Sequence, residues 1–536
     1  MRKVLLSLLV AMGLPTAAWC ADGDTFKMKI AEGVEMTFKV ISEEEKTCQV
    51  GEGWYSCIED YTGPVTVPST ANGYTVTRLG SRCFNGSSTL HVTSVTLPET
   101  ITTLEDMVFY NSDITELVFP NSVTEIDRSP FCDCEKLESV TLPQGMTKIP
   151  DYLFDQCAIK SFTIPSRITE IGENAFYSSG LESIVVPATV QKIGRYAFFA
   201  CENLTHAEIL NPDAELGDFL FSHDTQLSSF SFAEGTKTVA ERMFNECRNL
   251  SSVKLPSSIE SIEDYAFSGC ESLSSIEWPE GLKHIGAGAF TSSGLTSAVV
   301  PSSVETIDPS AFSYCKNLTH AEIPNPETKL GGSIFFSCQS LKSFSFAEGS
   351  KTVPNAMFTD CRQLTSVTLP ASIEEIEKHA FYGCESLSSI DLPEGLKTIW
   401  NTAFMWTGLK SITLPASLTS IGQDAFSCCD NLTEIQSLIV EPFKIDKSVF
   451  GYSGNVETSI YETATLIVPE GSEELYKSTP AWNMFYNLVT TGISRPEMQT
   501  AAGQHFTLDG RKAAQGQRGL QIVKQADGRV VKTFVR

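Results

Sequence analysis

The chain has 536 residues, and 42% of them are hydrophobic, which is enough to build a long folded core and too much for a disordered chain. Its 65 acidic residues outnumber 39 basic ones, and the formal net charge of −26 repels phosphate backbones, which argues against nucleic acid as a partner. After residue 20, no stretch approaches the roughly 20 apolar residues that are needed to cross a bilayer.

Residues 1–20 have the pattern of a secretory signal peptide, with two basic residues, an apolar stretch and small residues before a cleavage point after Ala18 or Cys20. Cys20 could instead carry a lipid anchor, but the bulky Trp19 before it makes this the less favoured alternative. We therefore predict an exported protein that lies outside the cell or on the outer cell surface.

Residues 21–80 contain strand-like runs such as FKMKI and MTFKVI, and we expect them to form a β-rich cap. A cap is needed because the open end of a repeat array would expose strand edges and apolar core. Cys48 and Cys57 flank a GEGWYS turn in this segment, and they are the candidate pair for a disulfide bond.

Residues 81–436 are dominated by a repeat that is marked by phenylalanine. A period of 20 to 50 residues is typical of a solenoid, in which each coil buries its apolar side against its neighbours. All but two of the gaps between these phenylalanines are 22 or 23 residues, which predicts about 17 coils. The landmark phenylalanines are Phe84, Phe109, Phe131, Phe154, Phe176, Phe198, Phe221, Phe244, Phe267, Phe290, Phe312, Phe335, Phe358, Phe381, Phe404, Phe426 and Phe450.

The unit that begins at Leu364, LTSVTLPASIEEIEKHAFYGC, shows the expected shape of one coil. Apolar residues alternate in its first half, which predicts a short strand that ends at the proline. The second half brings Ile376 and Phe381 inward through a tight turn or a short 3₁₀ segment. Stacked coils then predict a mostly β solenoid of the α/β type, with one parallel sheet on a concave face.

Ten of the 16 cysteines lie three residues after a landmark phenylalanine, in a position that holds Ser, Thr or Asp in the other coils. We interpret this position as a buried ladder of unpaired thiols that pack as small apolar groups. No cysteine or histidine spacing is typical of a metal site. The ladder cysteines are Cys134, Cys157, Cys201, Cys247, Cys270, Cys315, Cys338, Cys361, Cys384 and Cys429.

The segment from Cys201 to Cys429 contains one five-coil block twice, with a shift of 114 residues. On the strand model, one outward position of each coil is mostly serine and the other varies. The distinctive outward residues, which we take as candidate ligand-binding residues, are His206, Glu208, Glu277, His320, Glu322 and Asp391. The plainer alternative is that each is a solvated sheet residue without a role.

The His-x-Glu pair of this block could bind a metal or act in acid–base chemistry. Identical pairs five coils apart are better explained by duplication of a surface, and the chain contains no recognised catalytic motif. We therefore predict that the protein is not an enzyme and has no cofactor, metal site or catalytic residue.

Residues 437–490 are expected to cap the last coil, and residues 491–536 form a basic tail with eight basic and three acidic residues. The tail resembles the C-terminal sorting modules of exported bacterial proteins, and a plain β-hairpin appendage is the alternative. Residues 21–490 are strongly acidic, with 29 basic and 62 acidic residues. This charge serves solubility, or it attracts basic partner surfaces in a way that weakens with salt.

The repeat LxxVxLPxxIxxIxxxAFxxC, the lead-in at residues 60–84 and the closing module at residues 466–489 resemble the BspA-like leucine-rich repeat proteins of bacterial cell surfaces. The resemblance covers residues 24–490, with the repeat proline replaced at Leu210, Ala233 and Ala347. It implies a curved extracellular solenoid that takes part in adhesion to host proteins or other cells, and it implies no particular ligand.

These observations predict a monomeric binding protein, an adhesin that holds a protein ligand on the concave face. Aromatic platforms for sugars are sparse there, because Trp278 falls on a core-facing position. The alternatives are a structural spacer without a specific ligand and a glycan-binding accessory protein. Saturable binding separates an adhesin from a spacer, and competition by sugars identifies a glycan-binding protein.

Overall fold

The computed structural model describes residues 21–451 and 459–491, together with the backbone of three later antiparallel strands, Gln504–Phe506, Gly519–Lys524 and Val530–Val535. The predicted signal peptide lies outside the described residues. The described coils form a solenoid with parallel strands, so the predicted fold class is confirmed. Within the described part of the chain, no helix is long and apolar enough to span a membrane.

The strand predicted from alternating residues is present in most coils, and neighbouring strands pair in parallel. We call this series the long-strand ladder. Its strands are Thr62–Thr66, His91–Thr96, Glu116–Val118, Ser139–Thr141, Ser183–Val186, His206–Ile209, Ser229–Phe232, Ser252–Lys254, Ser297–Val299, His320–Glu322, Ser343–Ser345, Ser366–Thr368, Ser411–Leu414, Glu434–Ser437, Thr465–Val468 and Asn487–Thr490.

The long-strand ladder is divided into sheets of four strands, so the prediction of one continuous sheet is wrong. The coils that carry Ser161, Ser275 and Ser389 form no strand, and these breaks are 114 residues apart. Each break adjoins a coil whose turn is one residue shorter, as in Phe290 to Leu295. The coils on the two sides of this shorter turn remain hydrogen-bonded, since the N–H of Thr296 donates to the carbonyl of Ser274 at 3.0 Å.

A second ladder of two-residue parallel strands lies in the other half of each coil, where no strand was predicted. The sequence there has the spacing I-x-x-I rather than alternation, and pairing between stacked coils decides the conformation. We call it the short-strand ladder. Its strands are Thr103–Leu104, Glu125–Ile126, Lys148–Ile149, Glu170–Ile171, Lys192–Ile193, Glu215–Leu216, Thr238–Val239, Ser261–Ile262, His284–Ile285, Thr306–Ile307, Lys329–Leu330, Thr352–Val353, Glu375–Ile376, Thr398–Ile399 and Ser420–Ile421.

The segment around each landmark phenylalanine is a turn, as predicted, but the described coils contain no 3₁₀ helix there. Around Phe312, the residues Ser310 and Tyr314 have φ values of 63° and 59°, which is the left-handed region. The backbone N–H groups of these three residues donate to carbonyls of the next coil at 2.7–3.0 Å. Hydrogen bonds between coils therefore offset the cost of the left-handed residues.

The landmark phenylalanines form one continuous stack through the core, and every ring is fully buried. Successive ring centroids are 4.9–6.2 Å apart, with interplanar angles of 1–25°. At the C-terminal end Tyr461, Trp482 and Phe485 pack against the ring of Phe450 and close the stack.

The buried position predicted for the ten ladder cysteines is confirmed. In nine of them the thiol donates a hydrogen bond to the carbonyl of a preceding landmark phenylalanine at 3.0–3.2 Å. Cys157 instead bonds the carbonyl of Phe154 in its own coil, at 3.3 Å. Burial raises the pKa of Cys134 to about 12, so this thiol stays protonated and unreactive.

Strands Thr25–Ala31, Val34–Ser42 and Thr47–Val50 pair in antiparallel order before the first coil. Strand Tyr74–Leu79 joins them to the short-strand ladder and also pairs with Thr70–Ala71. At the other end lie helices α1 (Ile460–Thr463) and α2 (Glu473–Ser478) and the 3₁₀ turn Trp482–Met484. Both ends of the array are thus covered by additional structure.

Candidate binding surface

Two four-stranded sheets of the long-strand ladder carry the duplicated block, and we call them the twin sheets. The first consists of Ser183–Val186, His206–Ile209, Ser229–Phe232 and Ser252–Lys254, and the second of Ser297–Val299, His320–Glu322, Ser343–Ser345 and Ser366–Thr368. Buried residues alternate along each strand with exposed or half-buried ones. Each strand therefore presents two side chains outward.

In the first sheet, His206 is paired with Ser183 on one side and Ser229 on the other, and its Nδ1 lies 3.0 Å from the Ser229 hydroxyl. Glu208 lies on the same face of the strand, between Val185 and Ser231. His206 and Glu208 are both half-buried. Small neighbours leave the histidine and the carboxylate open to a partner.

The second sheet repeats this arrangement around His320 and Glu322, and both of these side chains are exposed. Here the pairing with the next strand is limited to His320 with Ser343 and a bridge from Ile323 to Phe346. A hollow of about 470 Å³ lies at this interruption, and His320 and Glu322 contribute to its lining. The two copies of the site therefore share their residues but differ in how closely the strands pair.

Glu277 and Asp391 are exposed in two of the coils that form no strand, directly beyond the last strand of each twin sheet. Trp278, which follows Glu277, faces the core as predicted, with its ring 5.3 Å from Phe290 and 6.2 Å from Phe312. The six predicted residues thus fall into two groups. At about 4.8 Å per coil, the groups are roughly 25 Å apart.

The described residues contain no group of three or more His, Cys, Asp or Glu side chains that could hold a metal ion. On each twin sheet, the histidine and glutamate of the pair stand among serines and valine. The serines and the histidine can form hydrogen bonds, the glutamate carries negative charge, and the valine offers a small apolar contact. These are the interactions that such a surface can make with a partner.

Two exposed valines belong to this surface and were not among the predicted site residues. Val185 is paired with Glu208 and Val299 with Glu322, and the two valines are 48% and 44% exposed. They could have been identified from the sequence, because valine replaces the usual Ser or Thr at the same outward position in both copies of the block. Their presence places an apolar contact beside each glutamate.

Cys48 and Cys57, the predicted disulfide pair, are both free and buried in the structure. Cys48 lies in a strand between Val40 and Val76. Cys57 instead lies against Cys83, with its N–H bonded to the Cys83 carbonyl at 2.8 Å.

The twin sheets are nearly identical on their outward side. The outward residues of the first sheet are Ser183, Val185, His206, Glu208, Ser229, Ser231, Ser252 and Lys254, and seven of these eight recur in the second sheet, with Thr368 at the place of Lys254. Positions that flank the landmark phenylalanines differ: Phe219, Arg242 and Tyr265 correspond to Ser333, Ala356 and His379. The two copies have diverged more at these turn positions than at the outward positions of the twin sheets.

On that turn side, the first block has a cluster that the second block lacks. The guanidinium of Arg242 lies 5.0 Å from the ring of Phe219 and 4.7 Å from that of Tyr265. Such cation–π contacts stabilise neighbouring coils. Their loss in the second copy shows that the fold does not require a fixed turn surface.

The family described as the BspA type Leucine rich repeat region matches residues 65–182, 147–266, 237–365 and 351–470. A solved leucine-rich repeat protein from Bacteroides ovatus is 27% identical, with a TM-score of 0.54, over 77% of this chain and 94% of that chain. A leucine rich cell surface protein from Faecalibacterium prausnitzii is 21% identical over 77% and 94% of the two chains, with a TM-score of 0.31.

The pneumococcal vaccine antigen PcpA is 19% identical over 88% of this chain and 100% of that chain, with a TM-score of 0.33. A comparison with curated proteins finds no match. The family match extends over most of the described solenoid and agrees with its coil length, its parallel ladders and its buried phenylalanines. The chain therefore belongs to the BspA-type leucine-rich repeat family.

Proposed function

We propose that this chain is an exported, non-catalytic surface protein that binds another protein through the outward side chains of the twin sheets, as an adhesin for host or other cell-surface proteins. The observation that carries the proposal is the identity of seven of eight outward residues between the two sheets. Solvent-facing side chains have no packing reason to stay the same. Their identity, beside a turn surface that has changed, favours a binding role.

The chemistry of the surface fits a protein ligand with basic side chains. Glu208 and Glu322 supply negative charge within a strongly acidic body, and the serines allow close approach of a partner backbone. Electrostatic attraction of this kind speeds association and weakens as salt rises. No aromatic residue is among the outward side chains of the twin sheets, so sugar stacking is not supported there.

Duplication also provides two sites on one rigid array, roughly 25 Å apart at about 4.8 Å per coil. When two sites engage one partner or one surface, the second binding event is intramolecular, and overall affinity rises without new contacts. The proposed adhesin therefore holds a repeated or dimeric partner more tightly than a monomeric one.

The test is binding of the full chain to an array of extracellular-matrix proteins, host-surface proteins and glycans at low and physiological salt. Charge reversal by Glu208→Lys or Glu322→Lys is expected to weaken binding about tenfold or more each, since like charges oppose the partner. The double variant should abolish saturable binding. Glu202→Lys is the matched control, because the second block already has Lys316 at that position.

Saturable binding that the double variant leaves intact would contradict the proposed surface. No saturable binding by folded protein would favour the structural spacer, and loss of binding to competing sugars would favour the glycan-binding accessory. The domain boundaries, 21–80 and 437–490 for the caps around 81–436, remain part of this proposal. Removal of either cap should lower solubility, because it exposes strand edges and the end of the phenylalanine stack.

A further inference from the structure

Three cysteines outside the ladder lie at the N-terminal end of the array. Cys48, Cys57 and Cys83 are each at most 2% exposed. Cys83 immediately precedes Phe84, the first ring of the phenylalanine stack, and Cys57 follows the turn that leaves strand Thr47–Val50. These cysteines connect the N-terminal strands with the first coil.

The backbone holds Cys57 between the N-terminal strands and the first coil. Its N–H donates to the carbonyl of Cys83 at 2.8 Å, and its own carbonyl accepts from the N–H of Thr37 at 2.8 Å. The Ser56 hydroxyl also donates to the Cys83 carbonyl, at 3.4 Å. Cys57 and Cys83 are therefore held as neighbours by hydrogen bonds on both sides.

Gly51 shows that the two side chains occupy the same small space. A Cβ at Gly51 would lie 2.8 Å from the Cβ of Cys83 and 3.8 Å from the Cβ of Cys57. The φ of Gly51 is +80°, and a Cβ there would collide with Cys83, so only glycine fits at this position. Burial, followed by the side chain of Cys57, raises the pKa of the Cys83 thiol well above its ordinary value.

We propose that Cys57 and Cys83 form a disulfide bond in the exported protein, in place of the Cys48–Cys57 pair that the sequence predicts. The inference rests on the export that forms part of the proposed function. The backbone hydrogen bond and the shared contact with Gly51 place the two side chains next to each other, which a disulfide bond requires. Cys48 remains a thiol within its strand.

The bond forms by thiol–disulfide exchange during folding, before both sulfur atoms are buried. One cysteine, as thiolate, attacks a disulfide oxidant, such as glutathione disulfide or a protein disulfide, and releases one thiol. The second cysteine then attacks the mixed disulfide and releases the other thiol. Two protons and two electrons leave the cysteine pair, and the oxidant is reduced to two thiols.

The disulfide attaches the N-terminal strands covalently to the coil that begins the phenylalanine stack. A terminal coil has a neighbour on only one side, so it is the first part of an array to open. A bond between residues 57 and 83 keeps the strands in place over this end. It stabilises the array where stacking alone is weakest.

The experiment is peptide mapping of the full chain after it has been unfolded, reduced and refolded with reduced and oxidised glutathione. Free thiols are blocked with an alkylating reagent, and the protein is digested with trypsin without reduction. Cleavage after Lys46, Arg78, Arg82 and Arg128 places Cys48 and Cys57 in peptide 47–78 and Cys83 in peptide 83–128. The proposed bond links these two peptides, whereas a Cys48–Cys57 bond stays within one.

We expect the linked peptides in the native sequence and in Cys48→Ser, and their loss in Cys57→Ser. Reductant should lower the Tm of the native protein and leave that of Cys57→Ser unchanged. The same digest of protein that a bacterial host secretes requires no refolding and gives a second measurement. Alkylated Cys57 and Cys83, or a bond from Cys57 to Cys48, would overturn the proposal, and neither result depends on ligand binding.

Discussion

Asp224 occupies a slot of the cysteine ladder, and its counterpart in the second block is Cys338. The carboxyl group is fully buried. One oxygen accepts the backbone N–H of Cys201 at 2.7 Å, while Oδ2 has no hydrogen-bond partner among the described residues. Cys338, by contrast, donates its thiol to the carbonyl of Phe312 at 3.1 Å. We therefore expect Asp224→Cys to stabilise the protein.

The size of this stabilisation depends on the burial of the carboxyl group and on the pH. A buried polar atom without a partner costs about 1–3 kcal/mol. Burial also raises the pKa of Asp224 well above its ordinary value, so the folded chain holds the proton more tightly than the unfolded chain does. The contribution of the protonated carboxyl is complete below about pH 4 and is lost as pH rises, at about 1.4 kcal/mol per pH unit. At pH 7 the substitution should therefore increase the free energy of unfolding by more than the about 1–3 kcal/mol of the unpartnered atom alone.

Urea unfolding followed by circular dichroism at pH 4, 5.5 and 7 measures this effect. The advantage of Asp224→Cys should be largest at pH 7 and should shrink as the pH falls. The converse substitution Cys338→Asp is the matched control, and it should destabilise the second block with the opposite dependence on pH. An Asp224→Cys variant that is less stable at pH 7, or an advantage that does not change with pH, would refute the reasoning.

Three further substitutions examine the core, a close contact and a surface carboxylate. Phe290→Ala removes a ring from the middle of the stack and should cost about 3–5 kcal/mol in urea unfolding, whereas a cost below 1 kcal/mol would mean that the stack contributes little. Gly294→Ala would place a Cβ 2.1 Å from the carbonyl oxygen of Glu271. It should lower the free energy of unfolding by about 1–3 kcal/mol, and unchanged stability would contradict this close approach. Two lysines lower the pKa of Glu260 to about 2, so its carboxyl should stay ionised down to that pH in an NMR titration. Lys283→Met should raise the pKa of Glu260. An ordinary pKa in the native protein would disprove the ion pairs.

The parts of the fold that follow from local pattern could be predicted from the sequence. Alternation in residues such as Ser366–Thr368 gives both the strand and the direction of its side chains, because successive residues of a strand point to opposite faces. The spacing of the phenylalanines gives the stacking of the coils. For the same reasons, the outward placement of residues such as His206 and Glu322 could be predicted before the structure.

Features that depend on contact between coils could not be predicted. Glu375–Ile376 becomes a strand only because the neighbouring coils offer matching backbone groups, and the I-x-x-I spacing contains no such signal. The break at Ser275 lies in a segment that alternates like the strands of the other coils, so residue types do not reveal it. Cys57 and Cys83 are 26 residues apart in sequence and meet only when the N-terminal strands cover the first coil. The hollow beside Glu322 results from an interruption of strand pairing, which residue types alone do not show.

The continuous phenylalanine stack determines how the length of such an array can change. Each coil stacks a phenylalanine ring on the coil before it and the coil after it. The packing contact between any two neighbouring coils is therefore nearly the same. Recombination between Cys201 and Cys315 removes 114 residues and leaves Phe198 to stack on Phe335, with the same spacing that Phe198 now has to Phe221. Array length can therefore grow or shrink by one five-coil cassette, roughly 25 Å at about 4.8 Å per coil, without a new core having to form. The distance that the protein spans is set by copy number, independently of the surface that each copy displays.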